Sequence, residues 1–191
     1  SKVNKNLVLV YIGSSAINMK EWNDLAPSIL FSWYGGMEGG NAIAKVLYGE
    51  YNPSGKLPFS IAKNENDYPY FNPYTMKTDY GYYHGYTLFD KNNIEPLYPF
   101  GYGLSYTSFK LKDLKVNTPK IKKPDTLSFS IDIENTGEIE GEEVIQLYVG
   151  FSNSSIDRPV KLLRGFKKVF LKHGEIKKVD FNLNPDDLAY Y

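Results

Sequence analysis

The sequence predicts an α/β portion running into an all-β domain, on three observations. Two continuous apolar runs, Leu7 to Ile12 and Ser28 to Trp33, flank a stretch able to turn as a helix. Unbroken apolar runs of this length are what strands covered on both faces show. From Phe109 onward the pattern changes to alternation, as half-buried antiparallel strands require. Between these blocks the aromatics crowd together: of 17 Tyr, 11 Phe and 2 Trp, 14 fall between Tyr68 and Phe109.

Within the first block, Met19 to Leu25 is long enough for two helical turns, and Pro27 ends them before the second strand, which outlines a βαβ unit. Tyr34-Gly35-Gly36-Met37-Glu38-Gly39-Gly40 leads into a helix over Asn41 to Tyr48. Its Ile43, Val46 and Leu47 share one face, and Gly49 closes it. Asn52-Pro53-Ser54-Gly55 reads as a turn, and Lys56 to Ile61 as a further strand. Lys63 to Asn93 keeps no period, yet its aromatics argue against disorder, so an ordered, irregular connection is expected. In the second block Leu127, Phe129, Ile131 and Ile133 alternate with Ser128, Ser130, Asp132 and Glu134. Asn135-Thr136-Gly137 turns that strand, and further strands are expected over Glu143 to Val149, Leu162 to Leu171, and through Val179, Phe181 and Leu183. Short strands at this spacing predict an antiparallel sandwich of about 80 residues. The expected division is therefore 1–62 for the α/β portion, 63–108 for the aromatic connection and 109–191 for the β domain.

Lys plus Arg equals Asp plus Glu at 22 each, so no net field attracts a nucleic acid or an anionic membrane, and neither is an expected partner. No apolar run approaches the roughly 20 residues of a bilayer-spanning helix. There is no cysteine, which removes disulfides, thiolate metal sites and a cysteine nucleophile together. The opening Ser1-Lys2-Val3-Asn4 has neither Met nor a leader pattern and reads as a cut end. Gly49 to Lys56 has the wrong glycine spacing for a phosphate loop, and Gly101-Tyr102-Gly103 lacks the third glycine of a dinucleotide loop. His84 and His173 lie in different blocks and are read as structural or surface residues, and no metal and no cofactor are expected. Asp186-Asp187, Glu142-Glu143, and Glu138 with Glu140 are assigned to a solvated rim. Glu38 is read as a carboxylate favoured by a helix N-terminus rather than as an acid/base.

Five motifs converge on one family. Trp33-Tyr34-Gly35-Gly36-Met37-Glu38-Gly39-Gly40-Asn41-Ala42-Ile43-Ala44 resembles the W-x-P-G-Q-E-G-G-x-A-I-A signature of glycoside hydrolase family 3, the β-glucosidases and β-xylosidases. Asn52-Pro53-Ser54-Gly55-Lys56-Leu57-Pro58 is similar to its N-P-S-G-K-L-P, and Pro99 to Phe109 to its P-F-G-Y-G-L-S-Y-T-x-F. Tyr82-Tyr83-His84-Gly85-Tyr86 resembles a Y-Y-H-G-Y form of one subgroup. Arg158-Pro159-Val160-Lys161 and Leu163 to Val169 resemble the fibronectin type III-like module that ends many members. Gly35 and Met37 stand where Pro and Gln are usual, and Tyr80 and Thr87 where the commoner pattern has Glu and Arg.

The resemblance implies a partial α/β sandwich joined by the aromatic segment to an immunoglobulin/fibronectin III-like β sandwich, acting as part of a retaining β-glucosidase. Such enzymes need two carboxyl groups about 5 to 5.5 Å apart. The family places its nucleophilic Asp on a barrel-like domain and its acid/base Glu on an earlier part of the α/β domain. No catalytic residue is therefore expected here, and the isolated chain is expected to be inactive. The implied partners are a β-linked saccharide, through the complete enzyme, and the missing catalytic domain. Tyr80, Tyr82 and Tyr83 are the substrate-binding candidates, because rings with hydroxyl handles can stack on sugars. Together with Tyr86 they also fit a seam between the two blocks, and the seam is favoured because Tyr buries area while satisfying its hydroxyl there. The other class is a non-catalytic carbohydrate-binding or protein-interaction module. The Lys/Asn/Tyr-rich composition suits a bacterial source. Asn153-Ser154-Ser155 is only a formal glycosylation acceptor, and a cytoplasmic location is favoured over a secreted one.

Overall fold

The structure, a computed structural model, describes residues 4–15, 17–117 and 125–189, so the Ser1-Lys2-Val3 opening lies outside the described residues. The chain divides into two compact units: Ser1–Tyr51 with Leu57–Tyr102, and Asn52–Lys56 with Gly103–Tyr191.

In the first unit β1 (Val8–Tyr11) and β2 (Ser28–Phe31) pair in parallel, from Val8 opposite Ser28 to Tyr11 opposite Phe31. The expected helix over Met19 to Leu25 is replaced by a turn and a single 3-10 turn, Asn23–Leu25. Asn18 explains the difference: its side chain accepts from the Lys20 N–H at 3.1 Å and its carbonyl from the Trp22 indole at 3.1 Å, bonds that compete with a regular helix. Met19 is instead buried within this crossover. Helix α1 (Gly39–Leu47) starts two residues before its expected first turn, and Gly49 ends it at φ +76° as a left-handed cap should. Among its residues only Gly39 is buried, and Leu47 and the following Tyr48 are exposed.

The strand expected over Lys56 to Ile61 does not form. Pro58 has no N–H to give a ladder, and the segment is held by paired backbone bonds instead. Leu57 donates to the Tyr102 carbonyl and accepts from Gly101, while Ile61 does the same with Tyr98 and with Leu97. Ile61, Ala62 and Phe89, the last from α2 (Tyr86–Lys91), are buried beneath these clasps. Tyr11, Phe31, Trp33 and Phe59 form a separate aromatic chain with ring separations of 4.6 to 6.1 Å.

The second unit holds two antiparallel sheets. One has the order β3 (Phe109–Val116), β4 (Leu127–Asn135), β7 (Ile176–Leu183); the other pairs β5 (Gly141–Val149) with β6 (Leu162–Leu171). Ile133, Ile145, Leu171, Val179 and Phe181 from the two sheets form one buried cluster, against which Phe129, Ile131, Leu147 and Val169 pack. Alternation along β4, β5 and the second half of β7 supplies most of that apolar face, and Val169 and Leu171 at the end of β6 complete it. Asn135 ends β4 fully buried. Its amide donates to the Ile139 carbonyl at 2.8 Å and the Leu171 carbonyl at 3.2 Å, and its oxygen accepts from Thr107 Oγ1 at 2.7 Å and the Gly137 N–H at 3.2 Å.

Residues 52–56 belong to this unit through their side chains. Asn52 donates to the Glu140 carbonyl at 3.0 Å and accepts from Ser105 Oγ at 2.8 Å and the Tyr106 N–H at 2.9 Å. Lys56 Nζ meets the Gly103 carbonyl at 2.7 Å and Glu143 at 2.8 Å.

Candidate functional site

The aromatic segment is anchored at both ends. At its start Asn64 and Asp67 cap a 3-10 turn reciprocally. Tyr68 then donates to the Ser60 carbonyl at 3.2 Å, accepts from the Ala62 N–H at 2.8 Å, and sets its ring edge-on to Phe89 at 6.0 Å. At its far end Gly85, at φ +53°, turns the chain into α2, a conformation that costs glycine little. Thr87, buried in the first turn of α2, donates its hydroxyl to the His84 carbonyl at 2.8 Å and accepts from the His84 N–H at 3.3 Å. Tyr86 packs on Phe100 with ring centres 4.8 Å apart.

This clasp sets the direction of the tyrosines before it. Tyr82 and Tyr83 meet edge to face, 4.9 Å between centres at 84°. Lys91, one helix away, places its ammonium 3.6 Å from the centre of the Tyr83 ring, so a cation already occupies one face of that ring. Tyr80 and Tyr82 are each more than half exposed. Two of the three candidate tyrosines are thus in direct contact, and Tyr80 stands two residues earlier on the same exposed stretch. Such a surface can stack on an apolar ring face and donate or accept at phenol oxygens. The clasp through Thr87, which orients the pair, was missed from sequence: a Thr after Gly-Tyr carries no signal beyond its place at a helix start.

The carboxylates do other work. Glu142 takes Lys168 and the Ser54 hydroxyl at a partly exposed position, whereas Glu143 takes Lys56, whose side chain is largely enclosed, so Glu143 is tied inside the second unit rather than lying on a solvated rim. As neighbours on β5 the two point to opposite faces of the sheet. Asp187 caps the 3-10 turn Pro185–Leu188 by accepting from the Asn184 N–H. Glu38 accepts from the Asn41 amide and makes no side-chain cap bond to α1. His173 donates from Nδ1 to the Gly137 carbonyl, and His84 is held through its backbone by Thr87.

Burial is the largest influence on Tyr98, reinforced by the neighbouring Tyr102 and opposed by its hydrogen bond to Asn23, and the net effect raises its pKa above the usual 10. The folded chain therefore holds that proton more tightly than the unfolded one. The resulting stability is full below pH 10 and is lost as pH climbs through the raised folded value. Tyr68, raised chiefly by burial, acts in the same direction. Alkaline unfolding followed by far-ultraviolet circular dichroism should show a smaller loss above pH 10 for Tyr98→Phe than for the unaltered chain; equal losses would contradict this.

The family model for the glycosyl hydrolase family 3 C-terminal domain matches residues 1–106. The chain belongs to this family. The model of the fibronectin type III-like domain matches residues 143–191 in addition. Among curated relatives, the family 3 chain is 41% identical to a periplasmic β-glucosidase of Salmonella typhimurium, over 98% of this chain and 25% of the relative. It is 40% identical to thermostable β-glucosidase B of Acetivibrio thermocellus, over 100% of this chain and 26% of that protein. Among solved structures it superposes on the β-D-glucoside glucohydrolase of Trichoderma reesei with a TM-score of 0.89 at 33% identity, covering 99% of this chain and 29% of that one. Against β-glucosidase 3B of Thermotoga neapolitana in complex with glucose the TM-score is 0.87 at 36% identity, over 96% and 26% of the two chains. The family 3 chain thus spans about a quarter of the length of the curated relatives it matches.

Proposed function

We propose that the chain serves as the C-terminal portion of a longer retaining β-glycosidase of β-glucosidase type, here called the parent, which hydrolyses terminal β-linked sugars with a nucleophile and an acid/base carried outside these 191 residues. The observation that carries this reading is the match of nearly the whole chain to only about a quarter of each β-glucosidase relative. The first unit supports it. Two parallel strands of four residues make too small a sheet to stand alone, and parallel sheets occur with both faces covered. In this reading residues 1–62, apart from the 52–56 segment held by the second unit, complete a larger α/β sheet, 63–108 form the aromatic connection, and 109–191 form a fibronectin type III-like antiparallel sandwich. The two sheets of the second unit sharing one buried cluster favour that last assignment.

Tyr80, Tyr82 and Tyr83 are this chain's contribution to sugar binding in the parent, Tyr83 being steadied by Lys91. Two measurements test the reading. The isolated chain should release no phenolate from an aryl β-glucoside above the uncatalysed rate, and turnover by the purified chain would overturn it. In the parent, Tyr82→Ala should raise KM about tenfold with kcat little changed, since one stacked ring contributes about 1 kcal/mol or somewhat more. An unchanged KM would remove these tyrosines from the sugar site. Oligosaccharide binding by the isolated chain, abolished by Tyr83→Ala, would instead favour a free-standing binding module.

A further inference from the structure

Between the two anchors of the aromatic segment lies a stretch that neither the fold nor the proposed sugar contacts use. Tyr70, Phe71, Tyr74 and Met76 are all exposed, Tyr74 at 95% and Met76 at 104% of their full surface, as bare as in an extended chain. Among the described residues, the hydrogen bonds of residues 70–80 run only between Asn72, Tyr74, Thr75 and Lys77. The stretch therefore shapes itself locally without packing on its own unit. A long run without regular structure in a compact unit is usually either functional or a linker, and contiguous exposed apolar surface of this kind marks an interaction site.

Its composition selects the kind of partner. Tyr, Phe and Met with little charge is the make-up of the buried centre of a protein interface. Lys77 and Asp79 are the only charged residues between Tyr70 and Tyr80, and they cancel. Phe71 and Met76 offer a sugar no hydroxyl or amide. Length outside the chain selects the occupant. The superposition on the Trichoderma reesei enzyme covers 99% of this chain, and so includes this stretch, within a molecule more than three times as long. That remainder is enough to cover a face which nothing in its own unit covers.

We propose that residues 70–76 are a docking face for the part of the parent polypeptide lying outside these 191 residues, a contact that carries Tyr80 and Tyr82 to their place. The proposal rests on the reading that such a parent exists. It does not depend on those tyrosines touching sugar, because Tyr82→Ala kinetics report that separately.

The chain's methionines provide the test in the full-length parent. Peroxide converts exposed Met to the sulfoxide faster than buried Met, and peptide mass spectrometry reads each position. Met19, at 1% exposure, is the slow internal reference. Met76 should oxidise at least about tenfold more slowly in the native parent than in the urea-unfolded parent. That protection should persist on dilution and be the same with and without glucose. Oxidation of Met76 at the unfolded rate would overturn the proposal. Protection lost on dilution would assign the face to a second copy, and protection seen only with glucose would assign it to the ligand; either result also overturns it. As a second measurement, Tyr74→Ser should make the parent more readily cleaved by protease within residues 70–76. An unchanged cleavage rate would count against the contact.

Discussion

Replacing Asn135 by Ala is expected to cost the second unit about 3 to 5 kcal/mol and to bring its unfolding close to ambient temperature. The side chain is fully buried and makes four bonds, two as donor and two as acceptor. Alanine removes all four and leaves the Thr107 hydroxyl, the Gly137 N–H and two carbonyls without this partner. A buried polar group stripped of its partner costs about 1 to 3 kcal/mol; relaxation and water entry keep the sum below the full addition. Neither Asp nor Ser restores the set, because Asp cannot donate to Ile139 and Leu171 and Ser cannot reach both sides. Denaturant unfolding monitored by amide exchange of β4 and β5 would check this. A loss below 1 kcal/mol would mean the four bonds are not formed together.

Gly103→Ala should be nearly as damaging, by about 2 to 3 kcal/mol. A Cβ at this position runs into the Gly55 carbonyl oxygen, and a backbone oxygen cannot turn aside as a side-chain tip would. Relief requires the 52–56 segment to move off, which strains the Lys56 bonds to the Gly103 carbonyl and to Glu143 and those of Asn52. Gly55→Ala is the matched control, since its added Cβ meets nothing within 4 Å, and it should change stability by less than about 1 kcal/mol. Equal effects from the two variants would show that the close approach is not what holds this segment.

Much of the fold is legible in the sequence wherever one physical signal acts alone. β6 is expected at Leu162 to Leu171 and spans those residues, because aliphatic and aromatic residues cluster at both ends of a run free of Pro and helical period. Gly49 ends α1 because no other residue takes a left-handed backbone so cheaply. Where two signals compete, pattern fails: Asn18 undoes a helix that the apolar spacing of Met19, Trp22 and Leu25 suggests, and Pro58 denies a ladder to an otherwise strand-like run. Long-range polar ties leave no local mark at all. Asn135-Thr136-Gly137 has the composition of a turn, and nothing in it announces a bond to Thr107, 28 residues earlier. Glu142 and Glu143 read as solvent-facing charges because their lysines, Lys168 and Lys56, are far off in the chain. At the candidate site the crowding of tyrosines was visible. Their division into an oriented pair near α2 and a bare stretch before it depends on Thr87 and Lys91, which composition does not rank above their neighbours.

The five residues Asn52–Lys56 have a consequence for anyone transplanting or synthesising the β module. They emerge from the ribosome before the first strand of that module, and at about 5 to 20 residues per second they must wait several seconds for Glu140 and Glu143 to exist. A graft cut at residue 103 would discard them and leave the hydroxyl of Ser105 and the amide of Tyr106 without their acceptor. The module is separable from its neighbour only by two cuts and a splice.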